Sequence, residues 1–466
     1  VWDGRGLSLP DIGHEPSTGG EDPAPRLALP LCFPMAYKSL LDRLGLHRRE
    51  QRAWALYDVA NSSWMTTVVQ FFQIYIVAIG AQAGLTEAEA GARYAFGSAI
   101  AIIVIGLTGP LLGAIADYRG SKKAFLAAFL AVGASATAAM YFIGEGQWVF
   151  ALTTFIVGKV CVTATLAFYN ALLPAVAERD EVDRVSTAGF ALGYLGGGTL
   201  FLINALMVAN PERFGIANAD LATRISFVSV AVWWVIFSIP LFRRVPEPPA
   251  RLKADEHVDE NPVVIASRRL VETFRDLRKY KDAGLVLLAF LVYNDGVNTI
   301  VHMAVTFGKN IGITDSAMIG ALVMVQFVGI PFAFAFGLVA DRIGTKNAIY
   351  ITLAVYTGIS CFGFVLRTDT QFYVMAFIVG TVQGAAQALG RSLFATLIPR
   401  HKAGEMFGFF GVFDRFGGVL GSLVFGVTLT LTGSSRPAIV VLIVFFALGA
   451  FLLSRVDVER GRRLAQ

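Results

Sequence analysis

The sequence predicts an all-α membrane protein of twelve transmembrane helices, arranged as two six-helix bundles related by pseudo-symmetry. Three observations lead there. Of 466 residues 55% are hydrophobic and only 16% charged, against about 25% charged in an average soluble domain, and the mean hydropathy is +0.61. Apolar runs of about 20 residues, the length that crosses a bilayer, recur twelve times. A short polar segment then occurs twice at the end of such a run, as Gly113-Ala-Ile-Ala-Asp117-Tyr-Arg119-Gly120-Ser-Lys122-Lys123 and as Gly337-Leu-Val-Ala-Asp341-Arg342-Ile-Gly344-Thr-Lys346. A Gly four residues before an Asp leaves a groove for a neighbouring helix, and the acid and cations sit where a helix leaves the bilayer.

Residues 1–34 are rich in Pro, Gly and acids and lack the apolar core of a signal peptide. They are expected to be either a misassigned start, with Met35 as initiator, or a disordered tail. Residues 35–52 form a basic amphipathic lead-in. The twelve spans start near Trp54, Tyr94, Ala124, Trp148, Val185, Arg224, Ala283, Ala317, Ala348, Phe372, Glu405 and Pro437. An even number puts both termini on one side. Of the 39 Lys and Arg, 28 fall in the termini and even-numbered loops after Met35, 6 in odd-numbered loops, 3 inside spans (Lys159, Arg391, Arg415) and 2 before Met35 (Arg5, Arg26). By the positive-inside rule the termini are expected to face the cytoplasm. The net charge of +5 therefore reports topology and implies no nucleic-acid partner.

The spans divide into bundles at 53–242 and 283–455, with a basic cytoplasmic linker at 243–282 and a tail at 456–466. The linker carries ten Lys or Arg and the cluster Pro246-Glu-Pro-Pro249. Over Val263 to Lys281 its apolar residues have helical spacing, which suits a helix lying on the membrane surface. The halves superimpose beyond the opening motif: Asp58-Val-Ala-Asn61-Ser62 matches Asp295-Gly-Val-Asn298-Thr299, and Phe168 to Pro174 matches Phe394 to Pro399. The offset differs by 13 residues at the Asp pair, which a longer first external loop over Gly80 to Ala92 would absorb. Parallel six-span halves place a substrate site between them near mid-depth.

The paired Gly-x-x-x-Asp motifs resemble the signature of the major facilitator superfamily. Five longer strings narrow the resemblance: Trp54-Ala-Leu-Tyr-Asp-Val-Ala-Asn-Ser, Phe168-Tyr-Asn-Ala-Leu-Leu-Pro, Gly189-Phe-Ala-Leu-Gly-Tyr-Leu-Gly-Gly-Gly, Tyr293-Asn-Asp-Gly-Val-Asn-Thr and Gln383-Gly-Ala-Ala-Gln-Ala-Leu-Gly-Arg-Ser. They are similar to the bacterial branch related to the fungal vacuole effluxers of autophagy, over about Gln51 to Arg455. The resemblance implies the major facilitator fold, rocker-switch alternating access and export of amino acids or related metabolites. It also implies a gate in which Asp117 and Asp341 contact the opposite half. Gly113, Arg119, Lys122, Gly337, Arg342 and Lys346 complete the two copies of that motif.

Ionisable groups inside spans cost several kcal/mol and by default mark a pathway. Asp58 and Asp295 lead the candidates, with Asn61 beside the first. Asp295, Asn298 and His302 share one helical face, and Asn294-Asp295-Gly296 is a turn signal at which the seventh span could unwind. A carboxylate in such a cavity can load and release a proton as access alternates, and Asp295 is expected to matter more than Asp58. Gln383, Gln387 and Arg391 line one face of the tenth span and suit a carboxylate-bearing solute, unless Arg391 snorkels to the membrane surface. Asn170 faces either the cavity or a helix end. Lys159 is expected to pair with a first-half acid such as Asp58, and Asp414 and Arg415 either neutralise each other or reach separate partners.

No phosphate loop, nucleophile elbow or metal-ligand spacing occurs, so neither an enzyme nor a cofactor or metal is expected. Cys32, Cys161 and Cys361 give no disulfide framework. Three readings stay open: a secondary carrier of amino acids or similar metabolites, driven by protons or by the solute gradient; a drug or sugar exporter on the same fold; and a non-transporting receptor or scaffold. The expected partners are a small solute, protons and the bilayer, with the chain a monomer.

Overall fold

The computed structural model describes residues 40–249, 264, 265, 268, 280–417, 419–432 and 434–465. The expectations for residues 1–34, and almost all of the surface helix expected over 263–281, lie outside them. Among the described residues eleven helices are long and apolar enough to cross a membrane, and the divided α11 lies between the last two of them: α1 (Arg49–Gln82), α2 (Glu87–Arg119), α3 (Lys122–Ala139), α4 (Trp148–Ala171), α5 (Val182–Ala209), α6 (Ala219–Arg244), α7 (Lys281–Asn310), α8 (Asp315–Ile343), α9 (Thr345–Val365), α10 (Asp369–Leu397), α11 in two pieces (Ala403–Phe416 and Val419–Thr432) and α12 in two nearly continuous pieces (Ser435–Val441 and Ile443–Ser454). A short helix, α13 (Val458–Leu464), ends the chain. Large apolar side chains stand exposed around the outside, Leu107 at 77% and Leu431 at 80% among them. In water such a surface would be untenable, and in lipid it costs nothing.

Most helices begin several residues before their apolar run, because capping residues extend them into the polar border. Thr86 and Glu89 form a capping box on α2, and Thr368 with Gln371 forms one on α10. The α2 box corrects the expected long loop: the connectors α1–α2 and α7–α8 are equally short, and the extra residues lengthen α1 and α2 instead. Extension also settles the depth of Asp58, now more than two turns inside α1. The expected unwinding at Asn294-Asp295-Gly296 does not occur, since α7 is helical throughout. The interruption is in α11, where Gly417 faces Asn294 and Asn298.

Two crossings join the halves in a symmetric way: α2 packs on the first piece of α11, and α8 packs on α5. Both rest on glycine. A Cβ on Gly404 would stand 2.6 Å from the Gly113 carbonyl oxygen, so these backbones touch with no room for any side chain. A Cβ on Gly337 would meet the Thr187 hydroxyl. Tyr194 of α5 wedges between Gly329 of α8 and Gly384 of α10.

Candidate functional site

The two motif copies lie on one face of the bundle, called here the basic face. Asp117 ends α2 fully buried: Lys122 Nζ lies 2.5 Å from its Oδ1, and the backbone N–H of Glu405, at the start of α11, donates to its Oδ2 at 2.9 Å. A carboxylate from the first half thus caps a helix N-terminus of the second. The second copy reverses the roles, as Asp341 of α8 pairs with Arg184 Nε of α5 at 3.1 Å. Asp183 adds two bonds across the same seam, accepting from Thr345 Oγ1 at 2.5 Å and from Ser392 Oγ. Arg119 and Arg342 are exposed. Lys346 Nζ caps the end of α12 through the Val456 carbonyl at 2.8 Å, as Lys123 Nζ caps α6 through Val245 at 2.8 Å. Glu247 of the linker accepts from the backbone N–H groups of Lys122 and Lys123 at 2.8 and 2.9 Å. Burial pushes its carboxyl upward, and those bonds pull against that.

Deeper in the seam, Arg391 of α10 enters the first half. Its Nη1 lies 3.6 Å from Asp58 Oδ2 and donates to Asn170 Oδ1 at 3.2 Å. Its Nε and Nη2 donate to the Ser186 hydroxyl and carbonyl at 2.9 and 2.8 Å. Ser186 Oγ in turn donates to the Ala388 carbonyl at 2.8 Å. The guanidinium lies 4.5 to 5.7 Å from the ring centres of Phe190, Trp54 and Tyr169. Tyr169 Oη and Asn61 Nδ2 donate to Asp58 at 2.7 and 3.2 Å. The cation paired with Asp58 is therefore Arg391 of the opposite half, where Lys159 had been expected; Lys159 Nζ lies 5.6 Å from the Phe155 ring centre. Sequence alone could not choose between two lone cations in different spans.

Beyond this seal a cleft of about 120 Å³ opens toward the other face, between α1 and α5 on one side and α7, α8 and α10 on the other. Its polar lining is Thr66, Gln70, Gln326 and Gln383, with Phe201, Phe372, Met318 and Met375 among the apolar residues and no charged group. Gln383 Oε1 is buried without a hydrogen-bond partner among the described residues, an acceptor open to a donor from a solute. Thr66 stands in a π-helical turn, Trp64–Val68, which locally widens α1. Of the predicted residues, only Gln383 lines this cleft. Gln387 donates to Asn294 and Asn298 at 3.4 and 3.3 Å. Asn294 donates to Asp414 Oδ1 at 3.2 Å, and Asp295 Oδ2 accepts from the Gly421 N–H at 2.6 Å. These groups tie α7 and α10 to the broken α11. His302 is exposed on α7, and the Arg415 side chain lies outside what is described. Thr66, Gln70 and Gln326 escaped the sequence reading because it sought charge inside spans; neutral polar residues in apolar runs were the available signal.

The two gate copies differ in burial, and so in expected effect. Asp117→Asn strands a buried Lys122 and should slow transport while shifting the conformational balance by about 1–3 kcal/mol. Asp341→Asn removes a partly exposed pair, an effect of about 1 kcal/mol or less. Flux and substrate binding measured side by side check this, and equal effects of the two variants would contradict it.

Over residues 46–466 the chain matches the model of the family described as vacuole effluxer Atg22 like. The MFS-type transporter YxiO of Bacillus subtilis is 33% identical, over 90% of this chain and 97% of that protein. Autophagy-related protein 22 of Yarrowia lipolytica is 28% identical over 61% of this chain and 52% of its own length. Among solved structures, the proton:xylose symporter XylE superimposes with a TM-score of 0.66 at 14% identity, covering 91% of this chain and 98% of that one. The Escherichia coli fucose:proton symporter FucP gives 0.64 at 12%, covering 88% and 98%. These two likenesses carry the fold alone, a twelve-helix major facilitator fold. With its duplicated Gly-x-x-x-Asp motif and a family match over nine-tenths of its length, the chain belongs to the Atg22-like family of major facilitator transporters.

Proposed function

We propose that this transporter is a secondary carrier that exports or exchanges a small neutral or zwitterionic metabolite, amino acids being the first class to try, with its basic face toward the cytoplasm. The observation that carries the reading is the pairing of a sealed seam with an open, amide-lined cleft at mid-depth, the arrangement alternating access requires. An uncharged lining with Gln70, Gln326 and Gln383 suits a solute that presents hydrogen-bond donors and an apolar body. It disfavours a strongly anionic one, because Arg391 is engaged by Asp58, Asn170 and Ser186. The name of the fungal relatives' family supports efflux as the direction. For proton coupling, Asp58 is better placed than Asp295: its counter-charge comes from the opposite half, so its electrostatic balance depends on which face is closed.

A thermal-shift screen of the twenty amino acids, followed by counterflow of any hit in proteoliposomes, tests this. Stabilisation by a neutral amino acid that is lost in Gln383→Ala supports the reading. Stabilisation only by sugars or bulky lipophilic cations would replace it with the exporter alternative.

A further inference from the structure

We infer that the basic face carries a binding site for a phosphate-bearing anion, formed by Arg400, which lines a second cleft, with Arg179 of the α4–α5 turn and Arg462 of α13, and that its occupant favours closure of that face. The inference rests on the gate reading above. This cleft, of about 280 Å³, lies where the end of α4, the start of the linker and the turn before α11 meet, and is lined by Pro174, Asp117, Lys122, Glu247, Arg400 and His401. It is large enough for a phosphate and several waters, since one water takes about 30 Å³.

Asp117 and Glu247 match Lys122 and Arg400 in number around this cleft, but both acids are already engaged. Asp117 is engaged by Lys122 and the Glu405 N–H, and Glu247 by the two N–H groups that open α3. Arg400 and Arg179 make no ion pair among the described residues. Arg462 pairs with the exposed Glu459 at 3.7 Å, and its charge also reaches the buried Asp183. Arg179 Nη1 donates to the Arg462 carbonyl at 3.0 Å, which brings the α4–α5 turn and α13 together. Partial burial, then the charges of Arg400 and Arg462, hold the Arg179 guanidinium below its ordinary value. α13 also packs on the end of α10 just before Arg400, a Cβ on Gly461 standing 2.7 Å from Leu397 Cδ2; like charges carried on segments that meet this way are a standing cost that a multivalent anion removes, and the planar fork of Arg matches phosphate oxygens in bidentate fashion.

The three cations come from different parts of the carrier. Arg179 belongs to the first half and Arg400 to the second, while Arg462 sits on α13, which Arg460 fastens to Asp282 of α7 at 2.7 and 2.8 Å. An anion among them bridges the halves when the basic face is shut and loses contacts when it opens, so it binds one conformation better than the other. The phosphate can belong to an anionic lipid headgroup or to a soluble cytoplasmic anion.

The test uses the full chain in nanodiscs of phosphatidylcholine, titrated with pyrophosphate at constant ionic strength, and in nanodiscs containing phosphatidylglycerol. Melting temperature reports binding. Maleimide labelling of Gln326→Cys, with Cys32 and Cys361 replaced by Ser, reports opening of the far face. Pyrophosphate is expected to raise both readouts, and Arg400→Gln, at an exposed position, to weaken binding at least tenfold. If phosphatidylglycerol alone raises both in an Arg400-dependent way, the source is the headgroup and the site stands. No response to either probe, or a response unchanged in Arg179→Gln/Arg400→Gln, overturns the proposal. So does binding that emerges only after neutralising Asp255, Glu256, Asp259 and Glu260 of the linker, since those acids would then be the occupant. Neither readout needs a transported solute, so failure here leaves the carrier reading untouched.

Discussion

Arg391→Ala is expected to abolish transport and to cost about 3–5 kcal/mol of stability in the state closed at the basic face, because it takes from the buried Asp58 its cationic partner. Few residues in the chain are so heavily engaged: Arg391 is 4% exposed, meets Asp58, Asn170 and Ser186 through its donors, and lies against three aromatic rings. Arg391→Lys should recover little, since an ammonium cannot serve Ser186 and Asn170 from one plane. The double variant Asp58→Asn/Arg391→Gln separates stability from function. With neither charge stranded, its melting temperature should return most of the way toward wild type while accumulation of substrate stays lost. Melting curves in detergent and flux in proteoliposomes supply both numbers, and a single variant that melts like wild type would show that the pair is not buried as described.

Gly113→Ala should be the most damaging change of one carbon. The added Cβ would fall on the Gly404 carbonyl oxygen, a backbone atom that no rotamer change can move. Overpacking of this kind costs about 1–3 kcal/mol, and here the cost falls only on the closed seam, so the carrier should rest open at the basic face with flux reduced at least tenfold. Gly337→Ala is the control from the other motif copy. Its Cβ meets the Thr187 hydroxyl, a side chain able to yield, and Thr187→Ala should rescue it. No matching rescue exists for Gly113. Equal loss in both variants would mean that the two crossings are not distinguished by backbone contact.

The crossings were legible because each apolar run is a free-energy statement about lipid, and the seam was legible because the chain writes it twice. Asp117 and Asp341 both meet the opposite half, as the duplicated motif implied. The cleft was harder to read. Arg391, expected either to clamp a solute or to snorkel to the membrane surface, is a cross-half partner of Asp58, since helical spacing assigns a side chain to a face but not to the neighbour it meets across a bundle. The π turn at Trp64–Val68 and the break at Gly417 have no periodic signature; they lie where α1 packs on α5 and α11 on α7. Without them Thr66 could not be placed in the cleft, nor Asn294 and Asn298 against the break.

Closure at the Gly113–Gly404 crossing is expected to be coupled to opening of the far face. Spin labels at Arg119 and His401 report separation of the halves on the basic face, and labels at Gln82 and Thr368 report the far face. Double electron–electron resonance on both pairs, in the parent background and with Gly113→Ala, measures the coupling without any substrate. A longer basic-face distance together with a shorter far-face distance in Gly113→Ala is the predicted result. A basic-face distance that lengthens while the far-face distribution stays unchanged would contradict a rocker-switch carrier.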